Sequence, residues 1–406
     1  MTQTRTGTAR DRNALAAANF FMADVQAGIG PFLGVLLAGR GWATGAIGAV
    51  TALGNAVGLA STTPAGALID ATGRKRFWVV VAAICTVAAS TLVLVSGGFW
   101  VVAAAQAAAA VAAAVLGPAV IGITLGVVRQ SGFVEQNGRN QAYNHAGNMV
   151  GAALSGVLGW YFGFAAVFGL AALFAIAAII AILSIPAGHI DDRAARGATD
   201  ENQGAASGLQ ILARSPVLRA VAAAVLLFHL GNAAMLPLYG LAVVAHRADP
   251  FLTVAATVVV AQAVMVIASL AATRMARTRG YWTVFAIAFV ALPVRGLVAA
   301  SVVTTWGIVP VQILDGIGAG MLSVAVPGLV AQLLEGSGHI NIGQGALMAA
   351  QGVGACLSPL LGGYIAQEFG FRVAFAFLGA LSAGSLLIWR KYAAAIHAAA
   401  PSSSER

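Results

Sequence analysis

The sequence predicts an all-α integral membrane protein with twelve transmembrane helices arranged as two pseudo-symmetric six-helix bundles. Three observations carry that expectation. Of 406 residues, 60% are hydrophobic and 9% charged, where an ordinary soluble domain carries roughly 25% charged residues. Apolar runs recur along the chain, each close to the about 20 residues a helix needs to cross a hydrocarbon core about 30 Å thick. The halves also repeat: Gly151–Gly159 reads GAALSGVLG and Gly354–Gly362 reads GACLSPLLG, matching at six of nine positions at a displacement of 203 residues.

The runs, separated by Gly, Pro or charged residues, fall at 14–38, 44–69, 77–96, 99–127, 140–162 and 164–185, then 218–244, 251–273, 282–303, 307–333, 342–366 and 371–389. This gives a tail at 1–13, a first bundle at 14–185, a linker at 186–217, a second bundle at 218–389 and a tail at 390–406. The linker is the one long polar interval, with Asp191, Asp192, Arg193, Arg196, Asp200, Glu201 and Arg214, and Gly208–Arg219 suits a short surface helix. The first apolar run exceeds the 7 to 15 residues of a signal-peptide h-region, so it is expected to stay in the mature protein.

Smaller echoes support the split. Gly163-Phe164 recurs as Gly370-Phe371 and Phe168 as Phe375, while Gln26, Pro31 and Gly34 on the first segment pair with Asn232, Pro237 and Gly240 on the seventh, 206 residues on. Repeated bundles of this kind are characteristic of transporters.

The net charge of +9 would suit nucleic-acid binding if it were gathered on one face. Instead the basic residues form short clusters between apolar runs, at the N-terminal tail, the loops 70–76, 129–139 and 274–279, the linker and the C-terminal tail. Placing both termini in the cytoplasm puts 18 of the 22 Lys and Arg residues there, against Arg40, Arg247 and Arg372 on the other face and Arg295 within a segment. That is the positive-inside bias of a membrane protein. Nucleic acid is therefore excluded as a partner, and both termini are expected on the cytoplasmic side of a bacterial cytoplasmic (inner) membrane. Cys85 and Cys356 lie in apolar runs far apart, which argues against a disulfide framework or a thiolate metal site. No metal and no cofactor are expected.

Between the second and third segments the chain reads Gly66-Ala67-Leu68-Ile69-Asp70-Ala71-Thr72-Gly73-Arg74-Lys75-Arg76. Small residues allow a tight turn, and three cations lie where the positive-inside rule wants them. This loop resembles the signature loop of the major facilitator superfamily, G-x-L-x-D-x-x-G-R-K/R-x, with every defining position filled. The resemblance extends over the whole chain through the twelve segments, the linker and the repeat. It implies a monomeric secondary transporter, not an enzyme, in which Asp70 and Arg74 help latch the ends of the two halves. The corresponding loop of the second half keeps Arg274, Arg277 and Arg279 but has no acid, so the latch is expected to be asymmetric.

Helix five carries part of the glycine pattern of proton-coupled antiporters in that superfamily, as Gly138, Gly147, Gly151, Ala152, Ser155 and Gly156. Helix eleven, with Gly345, Gly354, Ser358, Pro359, Gly362 and Gly363, restores the proline and the terminal glycine pair. Close helix packing by small residues accounts for both patterns equally well. The arginine that such antiporters often carry within helix four is missing, and only Gln106 precedes Arg129.

An ionisable group at mid-bilayer costs roughly 2.5 to 3.5 kcal/mol on insertion scales, and three Asp, Glu, Lys or Arg residues lie at that depth: Asp24, Arg295 and Asp315. Asp24 is about ten residues into the first segment, roughly 15 Å deep, where an acid can take and release a proton; a permanently bonded acid, paired to Asn19, Gln26 or a neighbouring helix, is the alternative. Arg295 and Asp315 sit at equal depth, about 12 Å from the ends of adjacent segments. Equal depth favours a structural ion pair, with gating or recognition of substrate charge by Asp315 as the competing role.

Gln141, Asn144, His145 and Asn148 fall at i, i+3, i+4 and i+7, one stripe of helix five. A polar stripe is costly against lipid, so it is expected to face a solute cavity, and Gln344 and Gln351 repeat two of its positions on helix eleven. His229, Asn232 and Tyr239 on the seventh segment, with Gln106, Gln262 and Gln312, complete the candidate cavity residues, beside Asn19 and Gln26 on the first.

No G-x-x-x-x-G-K-S/T loop is present, so ATP is not the direct energy source, and no H-E-x-x-H or G-x-S-x-G motif suggests an enzyme. A simple pore fits poorly with a repeat and a latch loop. The expected function is secondary active transport of a small organic solute by alternating access, as proton-coupled efflux through antiport, with proton-coupled import of a nutrient or metabolite by symport as the alternative.

Overall fold

Lipid offers no partner to a backbone carbonyl, so where each helix stops, and what caps it there, decides whether the segments of the sequence can exist. The computed structural model describes residues 7–27, 30–191, 215–334 and 340–395. In chain order the helices are α1 Ala9–Ala27, α2 Gly30–Gly39, α3 Thr44–Ala71, α4 Lys75–Val95, α5 Phe99–Phe162 and α6 Phe164–Leu183, then a 3-10 turn Ala187–His189. They continue as α7 Pro216–Asn232, α8 Met235–Ala245, α9 Pro250–Ser301, α10 Ile308–Leu333, α11 Ile340–Phe369 and α12 Phe371–Lys391.

Among the described residues, nine helices are long and apolar enough to cross a membrane. Twelve segments emerge because α5 and α9 each hold two, while α1 with α2 and α7 with α8 form one apiece. The 52-residue α9 would be about 78 Å long at 1.5 Å per residue, enough for two crossings. The loops expected at 129–139 and 274–279 are helical instead. Each pair of segments is joined through a single non-helical residue, Arg129 (φ 57°) in α5 and Gly280 (φ 75°) in α9. One residue in the left-handed region redirects the chain while helical bonding resumes on either side, and glycine does this without steric cost.

Proline explains the interruption of the seventh segment. Pro237 has no N–H for the carbonyl of Ala233 and its ring crowds that carbonyl; α7 ends at Asn232 and α8 begins at Met235. On the first segment Pro31 stands four residues after Ala27, where α1 ends, and residues 28 and 29 lie outside the described residues. The repeated Gly163-Phe164 and Gly370-Phe371 also share a conformation, with φ/ψ of 74°/−170° and 86°/162° at the two glycines that open α6 and α12.

The chain sorts into two compact units, Met1–Arg40 with Leu53–Asp200, and Gly41–Ala52 with Glu201–Arg406. Most of the expected linker, residues 192–214, lies outside the described residues, including most of the short helix expected at 208–219. From Ser215, whose hydroxyl accepts from Leu218 N–H at 3.2 Å, the chain enters α7.

In the first unit α1 and α4 pack on α5 and α6. Leu15, Met22, Val79, Leu116, Ile123, Ala178 and Ile182 are buried between them. The break at Arg129 orphans the carbonyls before it, and two are recovered from distant chain: Gly7 N–H donates to Val127 O at 3.1 Å and Asp191 N–H to Gly126 O at 2.9 Å. Arg129 itself pairs with Asp191 at 3.4 Å. Two other arginines cap helices directly. Arg40 donates to the carbonyls of Val93 (2.7 Å) and Ser96 (3.1 Å) at the end of α4, and Arg76 to that of Ile185 (2.6 Å) just beyond α6.

At the start of α1, ahead of the apolar stretch, Thr8 and Asp11 form a reciprocal cap. Asp11 Oδ2 accepts from Thr8 N–H (2.7 Å) and its hydroxyl (2.8 Å), and Asp11 N–H donates back to Thr8 Oγ1 at 3.3 Å. The same carboxylate accepts from His189 Nδ1 at 2.9 Å. Burial works against the charge on Asp11, but the Thr8 and His189 contacts outweigh it and hold its pKa below the usual value.

In the second unit α7 packs on α11 and α12, and α9 on α10 and α12. Phe285 stacks on Trp389 at 4.6 Å, with Phe289 edge-on at 5.7 Å. The first turns of α3 belong to this unit. Thr44 donates to Gly363 O at 3.0 Å and Gly45 N–H to Gln367 Oε1 at 3.2 Å. The approach is backbone to backbone: a Cβ on Gly48 would stand 2.1 Å from Pro359 O, and one on Gly363 2.5 Å from Thr44 O. Many large apolar side chains point outward instead, Trp306 being 87% and Ile267 68% exposed, as a lipid-facing surface requires.

Two outcomes test these contacts. Gly48→Ala should lower thermal stability in detergent by about 1–3 kcal/mol, because backbone cannot yield to the new methyl, whereas Gly117→Ala, with open space around it, should not. Since the depressed Asp11 pKa contributes stability above the unfolded carboxylate value of about 3.9, wild type should melt above Asp11→Asn near neutral pH. That advantage should fade as pH falls through the folded-state value, and a difference constant with pH would refute the charged cap.

Candidate functional site

Three polar side chains of the second unit converge on one guanidinium. Arg295, on α9, is fully enclosed, and Asp315 and Gln312, a turn apart on α10, are 6% and 0% exposed. Arg295 Nη1 lies 2.8 Å from Asp315 Oδ1, the contact expected from their equal depth. Nη1 also donates to Asn232 Oδ1 at 2.6 Å and Nη2 to Gln312 Oε1 at 3.1 Å. The approach to Asp315 Oδ1 is off the hydrogen-bonding direction, so that oxygen has charge contact without an aligned bond. Among the described residues it is left unpartnered, with Arg295 Nε and Gln312 Nε2.

Asn232 owes its place to the interruption after it. It is the last residue of α7, half-buried, and two residues on the amide of Ala234 donates to Ser358 Oγ at 2.9 Å. One turn earlier, half-buried His229 donates from Nδ1 to Val225 O at 2.8 Å, leaving Nε2 as the nitrogen able to meet a solute. Tyr239, expected beside them, is wholly buried, and its hydroxyl donates to the carbonyls of Val302 (2.5 Å) and Thr304 (3.3 Å). It fastens α8 to the chain that follows α9, and nothing of it is open to a solute. Gln351 and Gln344 on α11 are both half-buried, and Gln344 donates to Pro327 O at 2.7 Å.

The first unit holds a ladder of amides. Asn148 donates to Asn144 Oδ1 at 3.2 Å, Asn144 to Asn19 O at 3.4 Å, and Asn19 to Leu15 O at 2.8 Å. Asn19, Asn144, His145, Asn148 and Gln106 are all half-buried, whereas Gln141 is exposed. Asp24 and Gln26 lie on α1, but their side chains fall outside the described residues. A small cavity in this unit, lined by Val25, Thr86, Val87, Ser90, Thr91 and Phe168, includes none of the expected site residues.

The glycine patterns have a packing explanation at several positions. A Cβ on Gly147 would stand 2.0 Å from Phe20 O, and one on Gly354 2.2 Å from Leu226 O. The same crossing thus recurs in each unit, where α5 meets α1 and where α11 meets α7. Gly138 and Gly345 have nothing within 4 Å, so packing does not account for them.

In the signature loop Asp70 and Arg74 are exposed. Its other cations are engaged: Lys75 is buried and donates to Thr72 O at 2.9 Å, and Arg76 caps the chain after α6. Sequence reasoning missed the Asp11–His189 contact. The Thr8-x-x-Asp11 spacing ahead of an apolar run is a capping signal, while nothing in the sequence points to His189.

Removing one partner of a buried pair leaves an uncompensated charge, at a cost of about 3–5 kcal/mol. Arg295→Ala and Asp315→Ala should each destabilise strongly, and the double variant should recover part of the loss. Additive losses in thermal denaturation would show that the two groups do not interact.

The chain resembles known proteins over most of its length. Two relatives from two strains of Mycobacterium tuberculosis, described as uncharacterised MFS-type transporters, are each 37% identical over 385 residues, which cover 94% of this chain and 92% of theirs. Among solved structures, a mutant of the nucleoside transporter NupG superposes with a TM-score of 0.79 at 15% identity, over 94% of this chain and 99% of that one. A bacterial homologue of the human lysosomal transporter Spinster, inward-facing and unoccupied, gives 0.69 at 14% identity, over 97% and 98%. With the Major Facilitator Superfamily model matching residues 15–341, these relatives and the twelve-segment fold establish that the chain is a membrane transporter, not an enzyme, and belongs to the major facilitator superfamily.

Proposed function

We propose that the protein exports a small organic solute by alternating access in exchange for protons, with Asp24 as the proton carrier. The observation that carries this reading is the engagement of Arg295 with Asp315 at 2.8 Å. Of the three Asp, Glu, Lys or Arg residues at mid-segment depth, two neutralise each other, and the proton exchange of each cycle is assigned to the third, Asp24. A retained intramembrane acid is a functional group by default, given what it costs to keep there.

The solute path is assigned to polar side chains within each unit: half-buried Asn19, Gln106, Asn144, His145 and Asn148, together with Gln26, in the first, and half-buried His229, Asn232 and Gln351 in the second. Gln312 supports the second set from behind. Asp70 and Arg74 serve as the latch, which their exposure leaves them able to do. The expected setting is a monomer in the bacterial cytoplasmic membrane with both termini in the cytoplasm.

The test is transport in proteoliposomes of known orientation with an imposed pH gradient, an internal pH-sensitive dye and a panel of organic cations, neutral drugs and metabolites. Proton movement opposite to solute flux, lost in Asp24→Asn while solute binding persists, is the expected result. Movement in the same direction would establish symport, and unaltered gradient-driven transport in Asp24→Asn would remove that residue from the coupling.

A further inference from the structure

A guanidinium has only donors, so any amide bonded to it must turn its oxygen inward. Arg295 therefore settles the orientation of two amides at once. Asn232 and Gln312 both present their oxygens to it, at 2.6 and 3.1 Å, which leaves both NH2 groups facing away. Gln312 Nε2 is buried and unpartnered among the described residues, and Asn232 is half-buried at the end of α7, so its NH2 reaches the accessible side. An amide free to rotate could offer either edge to a solute; this one can offer only its donor.

Asn232 shares that accessible face with His229, one turn earlier and also half-buried. Two polar side chains together on one helical face are costly against lipid, which supports a face that meets solute. The guanidinium does not reach that face itself, being fully enclosed. It acts through the amide in front of it.

We propose that Arg295 is a positioning residue that fixes Asn232 as a hydrogen-bond donor, making this face of the second unit a subsite for solutes that present an acceptor: a carbonyl, a carboxylate or an unprotonated ring nitrogen. Solutes that offer only N–H donors, such as simple alkylammonium ions, find no partner in Asn232. The proposal rests on the reading of the chain as a solute carrier, but it concerns equilibrium binding and is independent of proton coupling.

The experiment measures binding to the full-length protein in detergent with no pH gradient, by equilibrium dialysis and thermal shift. The probes are benzoate and acetophenone, which carry acceptors, and benzylammonium, which carries donors only. Wild type should bind both acceptor probes at least about tenfold more tightly than benzylammonium, the worth of one well-made hydrogen bond. Asn232→Asp keeps a partner for Arg295 but presents no donor, and should lose about that factor for the acceptor probes. Arg295→Gln should relax the preference between the two probe classes, a change in selectivity that a purely structural role would not produce.

If Arg295→Gln does not fold, Asn232→Asp and Asn232→Leu decide alone, since both remove the donor. Tighter binding of benzylammonium to wild type, no binding of either acceptor probe, or an unchanged preference in Asn232→Asp would each overturn the proposal. Binding in the expected order without gradient-driven transport would reject proton coupling and leave this subsite standing.

Discussion

Carbonyls that lose their helical partners are the constraint around which much of this structure is arranged. In water such groups are solvated at no cost; within a membrane each must be given a donor from elsewhere in the chain. The same solution recurs with different chemistry. Arg40 and Arg76 reach across to the ends of α4 and α6, and the amides of Gly7 and Asp191 serve the last turn before Arg129. At the interruption between α7 and α8 the orphan is a donor, the amide of Ala234, and Ser358 accepts from it. Arginine counts used to orient a membrane protein therefore conceal a second role, because two of the cations counted as surface charge are helix caps.

Much of this was legible beforehand for a simple reason: depth along a helix is linear in residue number. Counting inward from segment ends placed Arg295 opposite Asp315, and the structure brings them to 2.8 Å. Displacement arithmetic likewise aligned Gly163 with Gly370, and both adopt the same left-handed conformation. What counting could not supply was direction across the helix axis. Tyr239 has the depth of a cavity residue but turns into the core, and counting gave no sign that Asn232 and Gln312 also bond Arg295. The joints in α5 and α9 were misread because charged, polar residues look like loop by composition, although one residue suffices to redirect the chain.

Small residues show how one pattern can serve two ends. Gly147 and Gly354 sit where another backbone passes within a methyl's width, so their presence needs no functional reason, whereas Gly138 and Gly345 have open surroundings. A glycine motif read as a signature of transport direction is in this chain partly a record of helix crossings.

The caps on the helix before Arg129 also bear on the order in which the chain can be built. Its last turn is closed by Gly7 and Asp191, among the earliest and the latest residues of the first unit to leave the ribosome. Until Asp191 has been made, that helix end has a carbonyl without its final partner. The first unit thus carries its own completion signal. Its final cap forms just as α6 is finished and synthesis passes into the linker, before any of the helices from α7 onward exists.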